Sequence, residues 1–484
     1  MADILLATIN ARYRHCAFGL RWLLANMGDL GPRTALVEFD LEKTPVEMAE
    51  ALLAHRPRIV GLGVYVWNVE PTRHLVRLLK GLAPEVTLVL GGPEVSHDWE
   101  EQEIVHLADH LVTGEGEEAF PWLCRAILAG APPPDRILHP PPPVLAELVQ
   151  PYDLYDAEDI AHRILYLEAS RGCPFQCGFC LSALDRRVRT LPLAAFLEQV
   201  ENLLARGALR FKFVDRTFNL HTATACAILD FFLARLRPGL DLHFEVIPDR
   251  FPAALRERVA AFPPGVLQLE VGVQSFNPEV LAHIGRRQDP QLSEQNLRWL
   301  RGQTGAHLHA DLIVGLPGED WDSIAAGFDR LAALEPHEIQ VGILKRLPGA
   351  PINRLIEPFG LVFDPVPPRA VLRSDRLDFM QMRRLARFAR YWDLIGNSGR
   401  FPAIRRMILG RDSGFRRCMA LSDWLFARTG RTHRIALARL QDLVAEGLIS
   451  VLGEDPEEVR ACSAADRNQG GGESRQARHR TAGC

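Results

Sequence analysis

The 484-residue chain has no uninterrupted apolar run of the roughly 18 residues that would cross a bilayer. Its first residues, MADILLATINARYRHC, lack the basic start and long apolar stretch of a secretory leader. Neither sign of charge dominates: the net is -4, so nothing draws the whole chain to nucleic acid or an anionic membrane. Cysteine is scarce, at nine residues, and six of them (Cys16, Cys124, Cys226, Cys418, Cys462 and Cys484) are scattered without pattern. An odd, unpatterned set argues against a secreted disulfide framework and for a reducing, cytoplasmic setting. What is present is ordinary globular composition, 47% hydrophobic and 24% charged, over a length that suggests roughly two to four domains.

Over residues 1–130, short apolar and mostly β-branched stretches alternate with helical patterns: Asp3–Ile9, Thr34–Asp40, Ile59–Trp67, Val86–Gly92 and His110–Gly114. This alternation predicts an α/β domain with a Rossmann-like, doubly wound parallel sheet, which binds ligands at the carboxyl ends of its strands. Those ends carry Tyr65, Trp67, Gly91, Gly92, Gly114 and Gly116, and glycine lets the backbone approach a bulky ligand closely. No G-x-G-x-x-G follows the first strand, so a dinucleotide is not expected. GAPPPDRILHPPPP, residues 130–143, packs seven prolines into fourteen residues and holds neither a helix nor a central strand. A stiff linker is therefore expected over 131–163. Six more strand–helix repeats over 164–350 predict a partial (β/α)6 barrel of the TIM type, with its chemistry at the C-terminal strand ends. Residues 351–458 read as a helical domain, a small helical or winged-helix unit within it, and the polar, Gly-rich 459–484 as a disordered tail.

SRGCPFQCGFC, starting at Ser170, crowds Cys173, Cys177 and Cys180 into eight residues at the end of the first barrel strand. A structural zinc site needs four ligands, and only the lone His162 or His221 stands by to complete one. A disulfide would strand one thiol and suits an oxidising compartment. Buried apolar cysteines are a fourth, coincidental reading beside an iron–sulfur site. A ferredoxin-type cluster takes four thiolates; three leave one iron open to a substrate or cofactor.

CxxxCxxC after a first barrel strand resembles the signature of radical S-adenosylmethionine (SAM) enzymes, and the likeness covers about residues 165–345. It implies a 4Fe–4S cluster on Cys173, Cys177 and Cys180, whose open iron is chelated by SAM and whose electron cleaves SAM to a 5′-deoxyadenosyl radical. Phe179 matches the aromatic of that motif. Asp215 and Arg216, in FVDRTFN, stand where the family holds the methionine amine, although the usual glycine–glycine–glutamate is missing. LEVGVQSFNPEVLAHIGRRQ and DLIVGLP resemble strands of the oxygen-independent coproporphyrinogen oxidase branch. That likeness implies SAM contacts from Gln274 and Arg286, a ribose hydrogen bond from Asp311 and a further contact from Glu245.

IVGLGVYVWN, LVLGGPEVS and VTGEGEEAF resemble the cobalamin-binding domain that precedes such barrels in a large subgroup. Cobalamin is thereby implied at Tyr65, Trp67, Gly91, Gly92, Gly114 and Gly116. The Asp-x-His-x-x-Gly element that gives a histidine to cobalt is absent, as it is from many radical members. The implied activity is hydrogen abstraction from an unactivated carbon and methyl delivery by cobalamin, resupplied by a second SAM. The substrate is an unknown small molecule or peptide, and the reductant a flavodoxin or ferredoxin. Radical cyclisation, oxidation or rearrangement without methyl transfer is the alternative chemistry. The alternative class is a non-catalytic iron–sulfur or regulatory protein, with Arg428, Arg431, Arg434 and Arg439 as a basic stripe, a pattern that is ordinarily a solvated helix face. GNSGRFP, residues 396–402, is a candidate lid over the barrel mouth.

Overall fold

Apolar runs separated by amphipathic helices build two six-stranded parallel sheets in the computed structural model, which describes residues 2–469. The first comprises β1 (Ile4–Asn10), β2 (Thr34–Asp40), β3 (Ile59–Gly63), β4 (Thr87–Gly91), β5 (His110–Val112) and β6 (Ile137–Leu138), in the order β2-β1-β3-β4-β5-β6. Its helices are α1 (Phe18–Ala25), α2 (Pro45–Ala54), α3 (Val69–Leu82), α4 (Glu103–Leu107) and α5 (Ala119–Leu128). Alternate residues of β1 serve opposite cores: Leu5 and Ala7 pack with Met48 and Leu75, whereas Ile4 and Leu6 pack with Leu20 and Phe120. The strand order reverses between β1 and β3, which opens a crevice beyond their carboxyl ends. Within the proline-rich stretch, Ile137 and Leu138 pair with β5 as an edge strand, the position in a sheet that tolerates nearby proline.

The second sheet follows α6 (Ala157–His162) and starts with β7 (Leu165–Leu167). The short ribbon β8 (Ser170–Arg171) and β9 (Arg189–Thr190) comes next, then α7 (Leu193–Ala205), β10 (Arg210–Phe213), α8 (Thr222–Leu233), β11 (Asp241–Val246) and α9 (Ala253–Ala261). β12 (Leu267–Gln274), α10 (Pro278–His283), α11 (Pro290–Gln303), β13 (His307–Val314), α12 (Trp321–Ala332) and β14 (Glu338–Ile343) complete it. The order is β14-β13-β12-β11-β10-β7, all parallel, and the end strands do not pair, so the barrel is open.

A hairpin, β15 (Val362–Phe363) with β16 (Val371–Arg373), leads into α13 (Phe379–Trp392), α14 (Pro402–Leu409), α15 (Gly414–Thr429), α16 (Leu437–Ser450) and α17 (Pro456–Gln469). Phe328 of α12 packs edge-on against Phe388, Trp392 and Phe415, so the helical region shares the barrel's core. Three expectations change. The stretch expected as a stiff linker over 131–163 packs into the fold instead: Ile137 and Leu138 form β6, Tyr152 and Tyr155 are fully buried, and Ala157–His162 form α6. The tail expected to be disordered from 459 starts as α17: Val459 is buried, and Asp466 accepts from the backbone N–H groups of Ala403 and Ile404. Residues 470–484 lie outside the described residues. The GNSGRFP turn is no lid over the mouth, because Asn397 exchanges two hydrogen bonds with the backbone of Ile339, at the start of β14 and away from the strand ends. Among the described residues no helix is long and apolar enough to cross a membrane.

Candidate functional site

Beyond β1, β3, β4 and β5 lies a cavity of about 400 Å³ with an apolar floor that includes Leu6, Leu62 and Val112. Tyr65, Gly91, Gly92, Gly114 and Gly116 all line it. Trp67 stands outside, 45% exposed, stacked on Tyr65 with ring centroids 4.5 Å apart. Gly92 is required by the turn: its φ is +107°, and a Cβ there would sit 2.5 Å from the Val64 carbonyl oxygen. Asn68 accepts from the Tyr65 N–H and donates to the Ile9 carbonyl, which pins the β3 loop to the end of β1. On the side of the second sheet the wall consists of Glu115, Glu117, Glu168, Arg171 and Leu181. Glu117 Oε2 is buried there with no hydrogen-bond partner. A glycine-rimmed, apolar cavity with an unfilled acceptor suits a bulky, amide-bearing cofactor such as cobalamin.

The cysteines sit between β8 and β9, where Ser170 pairs with Thr190 and Arg171 with Arg189. Gly172 begins the loop at φ +89°; a Cβ would lie 2.2 Å from the Arg187 carbonyl oxygen, so the close approach demands glycine. Backbone bonds hold the loop from three directions: Cys173 N–H to Asp185, Gly178 N–H to Ile284, and Ile352 N–H to Gly178. Cys173 and Cys177 are buried, Cys180 half-buried, and all three thiols are free. Burial raises the Cys177 thiol's pKa, which Arg286, with Nη1 3.5 Å from Sγ, opposes. Among the described residues no three His, Cys, Asp or Glu side chains gather as donors to one ion. His162 is paired with Glu158 at 3.7 Å on α6, and His221 is exposed at the start of α8. A four-iron cube takes each thiolate on a separate iron, so this spacing suits a cluster and not a lone zinc.

A bulge in β12 between Gly272 and Gln274 puts Gln274 at φ +71° and re-aims its side chain. A Cβ on Gly272 would lie 2.6 Å from Gln274 Nε2, so glycine makes room for it. Arg286 donates to the Gly272 carbonyl and to Gln288 Oε1, which joins this strand end to the cysteine loop. Asp311 is the register partner of Gly272. Its Oδ1 and Gln274 Oε1 are buried acceptors without hydrogen bonds; His309 Nε2 lies 3.1 Å from Asp311 Oδ1, in charge contact but out of hydrogen-bond alignment. The amine and ribose hydroxyls of SAM are donors, so these residues fit it. Glu245 pairs with Arg216 at 3.6 Å, and burial raises its pKa. Phe179 packs half-buried against the main core. Asp215 differs: its oxygens accept from the Ala169 N–H at 2.9 Å and the Ser170 hydroxyl at 2.5 Å, so it steadies the approach to the cysteine loop.

Sequence reasoning missed the polar inner face of the barrel. Glu270 accepts from His243 at 2.9 Å and Lys212 at 3.2 Å. Burial opposes a charge on His309, yet Asp311, with Glu270 and Glu338 nearby, pushes its pKa up to about 9. These residues, except Asp311, line a second cavity of about 500 Å³, closed by Arg12, Arg14 and His15 of the first domain and by α13. The signal was legible: LHFEV, LQLEV and HLHAD place a polar residue at every second position, where a strand buried on both faces would be apolar throughout. Glu115, Glu117, Arg171 and Arg189 were also missed, and their contacts span separate domains.

Comparison with known proteins agrees with this geometry. Residues 4–123 match the B12 binding domain and residues 167–331 the Radical SAM superfamily. An uncharacterized methyltransferase of Pyrococcus horikoshii is 25% identical over 333 residues, which span 63% of this chain and 70% of that protein. The cobalamin-dependent radical SAM methyltransferase TokK of Streptomyces tokunonensis is 26% identical over 364 residues, 65% of this chain but only 51% of TokK. The solved structure of the cobalamin-dependent SAM radical enzyme OxsB with aqua-cobalamin shares the fold at TM-score 0.67 and 15% identity, over 99% of this chain and 83% of that one. With a switch-point cavity in one matched domain and a three-cysteine loop in the other, the chain is a radical SAM enzyme that carries an N-terminal B12-binding domain.

Proposed function

We propose that this enzyme methylates an unactivated carbon of a small molecule or peptide. The observation that carries the reading is the common wall: Glu115 and Glu117 from the first domain and Glu168, Arg171 and Leu181 from the cysteine-loop side line one cavity. When bound, the cluster with SAM supplies a 5′-deoxyadenosyl radical and cobalamin supplies a methyl group.

Cys173, Cys177 and Cys180 hold the cluster. Gln274 and Asp311 receive the donors of SAM, Arg286 fixes their strand end against Cys177, and Phe179 and Glu245 flank the site. Tyr65, Gly91, Gly92, Gly114 and Gly116 would hold cobalamin at the cavity of about 400 Å³. Pro174 and Gln176 are exposed beside the cluster cysteines, an entry point for an electron from a flavodoxin- or ferredoxin-like carrier. All eight cysteines among the described residues are free, which suits a reducing cytoplasm.

The test is product analysis with methyl-deuterated SAM on anaerobically reconstituted enzyme. Labelled methylated product with both S-adenosylhomocysteine and 5′-deoxyadenosine supports the reading. 5′-Deoxyadenosine with an altered but unmethylated product replaces it with radical cyclisation, oxidation or rearrangement. A full cluster that never yields 5′-deoxyadenosine with any candidate substrate leaves a non-catalytic iron–sulfur protein.

A further inference from the structure

Arg171 and Arg189 face each other across the β8–β9 ribbon, and every cluster cysteine lies in the loop between them. Two paired residues on each side are too few to hold such a loop by themselves. One carboxylate from the other domain grips both stems. Glu115 Oε2 accepts from Arg171 Nη1 at 2.6 Å and Arg189 Nη1 at 3.2 Å, and Glu115 Oε1 accepts from Arg189 Nη2. Arg171 also meets Glu117 at 2.7 Å and Glu168 at 3.1 Å, with its guanidinium 4.8 Å above the Trp22 ring. The Arg171 side chain is only 11% exposed and that of Glu117 6%, so their charges depend on one another more than on water.

Glu115, Glu117, Glu168 and Arg171 are at once this clasp and a wall of the first-domain cavity. A ligand seated there, donating to the unfilled Glu117 oxygen, holds the clasp in place; an ordered cysteine loop in turn presents Arg171 to the cavity. We infer that Glu115 is a positioning residue that couples the two cofactor sites, so that an assembled cluster tightens cobalamin binding and cobalamin secures the cluster. Coupling of this kind is reciprocal in free energy and commonly amounts to about 5–150-fold in affinity. The inference rests on the cofactor reading proposed above.

The test titrates cobalamin by absorbance into the full-length chain, apo and with its cluster reconstituted anaerobically, and follows iron loss to a chelator with and without cobalamin. In the unaltered protein the cluster tightens cobalamin binding by about fivefold or more, and cobalamin slows iron loss. In Glu115→Gln both factors fall below about twofold, while cluster absorbance and one-to-one cobalamin binding persist. Glu103→Gln, which removes an exposed ion pair with Arg73 and Arg77 in the same domain, keeps both factors. Equal cobalamin affinity with and without the cluster in the unaltered protein overturns the coupling without any variant, and a Glu115→Gln chain that keeps both factors overturns the role of Glu115. A chain that takes up neither cofactor overturns the reading beneath the inference and the inference with it.

Discussion

The strands of the two sheets bury their residues differently. β1 and β3 are buried along their whole length, whereas β11 and β12 alternate, with Glu245, Glu270 and Gln274 on the less buried inner face. Helices cover both faces of the first sheet, so its chemistry has to sit in the loops beyond the strands. The barrel has helices outside only, so its inner face can carry chemistry within the strands themselves. Damage to one sheet should therefore remove one cofactor and, through the coupling inferred above, only weaken the hold on the other.

The largest effect is expected at the cluster. Replacing Cys173, Cys177 or Cys180 with alanine should reduce 5′-deoxyadenosine to background while cobalamin still binds, because no thiol lies in the first-domain cavity. Next comes the barrel strand end. Asp311→Ala or Gln274→Ala removes an acceptor for a charged or hydroxyl donor, worth about 1.5–3 kcal/mol. Equilibrium dialysis should show SAM binding weakened by roughly 10–100-fold and cobalamin binding unchanged.

The opposite pattern is expected from Gly92→Ala. Its φ of +107° and a Cβ only 2.5 Å from the Val64 oxygen strain the turn by about 1–3 kcal/mol. A lower Tm and weaker cobalamin binding should follow, with the cluster's absorbance intact. The smallest effect concerns Glu319, which accepts from Ser275 at 2.5 Å and Ser323 at 3.3 Å and which burial pushes up to about 7. A carboxyl whose folded pKa is raised stabilises the fold while protonated, and that stability is lost as pH rises through about 7. Denaturant unfolding should lose on the order of 1–2 kcal/mol between pH 5 and 8, and Glu319→Gln should flatten the slope.

Local pattern made much of this legible. Both parallel sheets, the open barrel and the cysteine loop follow from strand runs, glycine turns and the spacing of Cys173, Cys177 and Cys180. Gln274, Arg286 and Asp311 do come together at one strand end, although nothing local showed that a bulge aims Gln274 or that Arg286 reaches Cys177. Asp215 lay at the expected strand end, but its partners Ala169 and Ser170 come from another strand's exit and occupy both of its oxygens. Trp67 followed the right strand yet stacks outside the cavity, because alternation does not say which side of a loop a ring takes. The Glu115–Arg171–Arg189 clasp was least legible of all: the charges are 56 and 74 residues apart in sequence, and only the docking of two domains joins them.

The most direct test of the account is mass-spectrometric measurement of 5′-deoxyadenosine. The anaerobic enzyme should carry a full cluster and bound cobalamin, and receive SAM, a low-potential reductant and candidate substrates. 5′-Deoxyadenosine should rise with time and disappear in the Cys177→Ala chain. SAM left intact by a protein with both cofactors in place would contradict it.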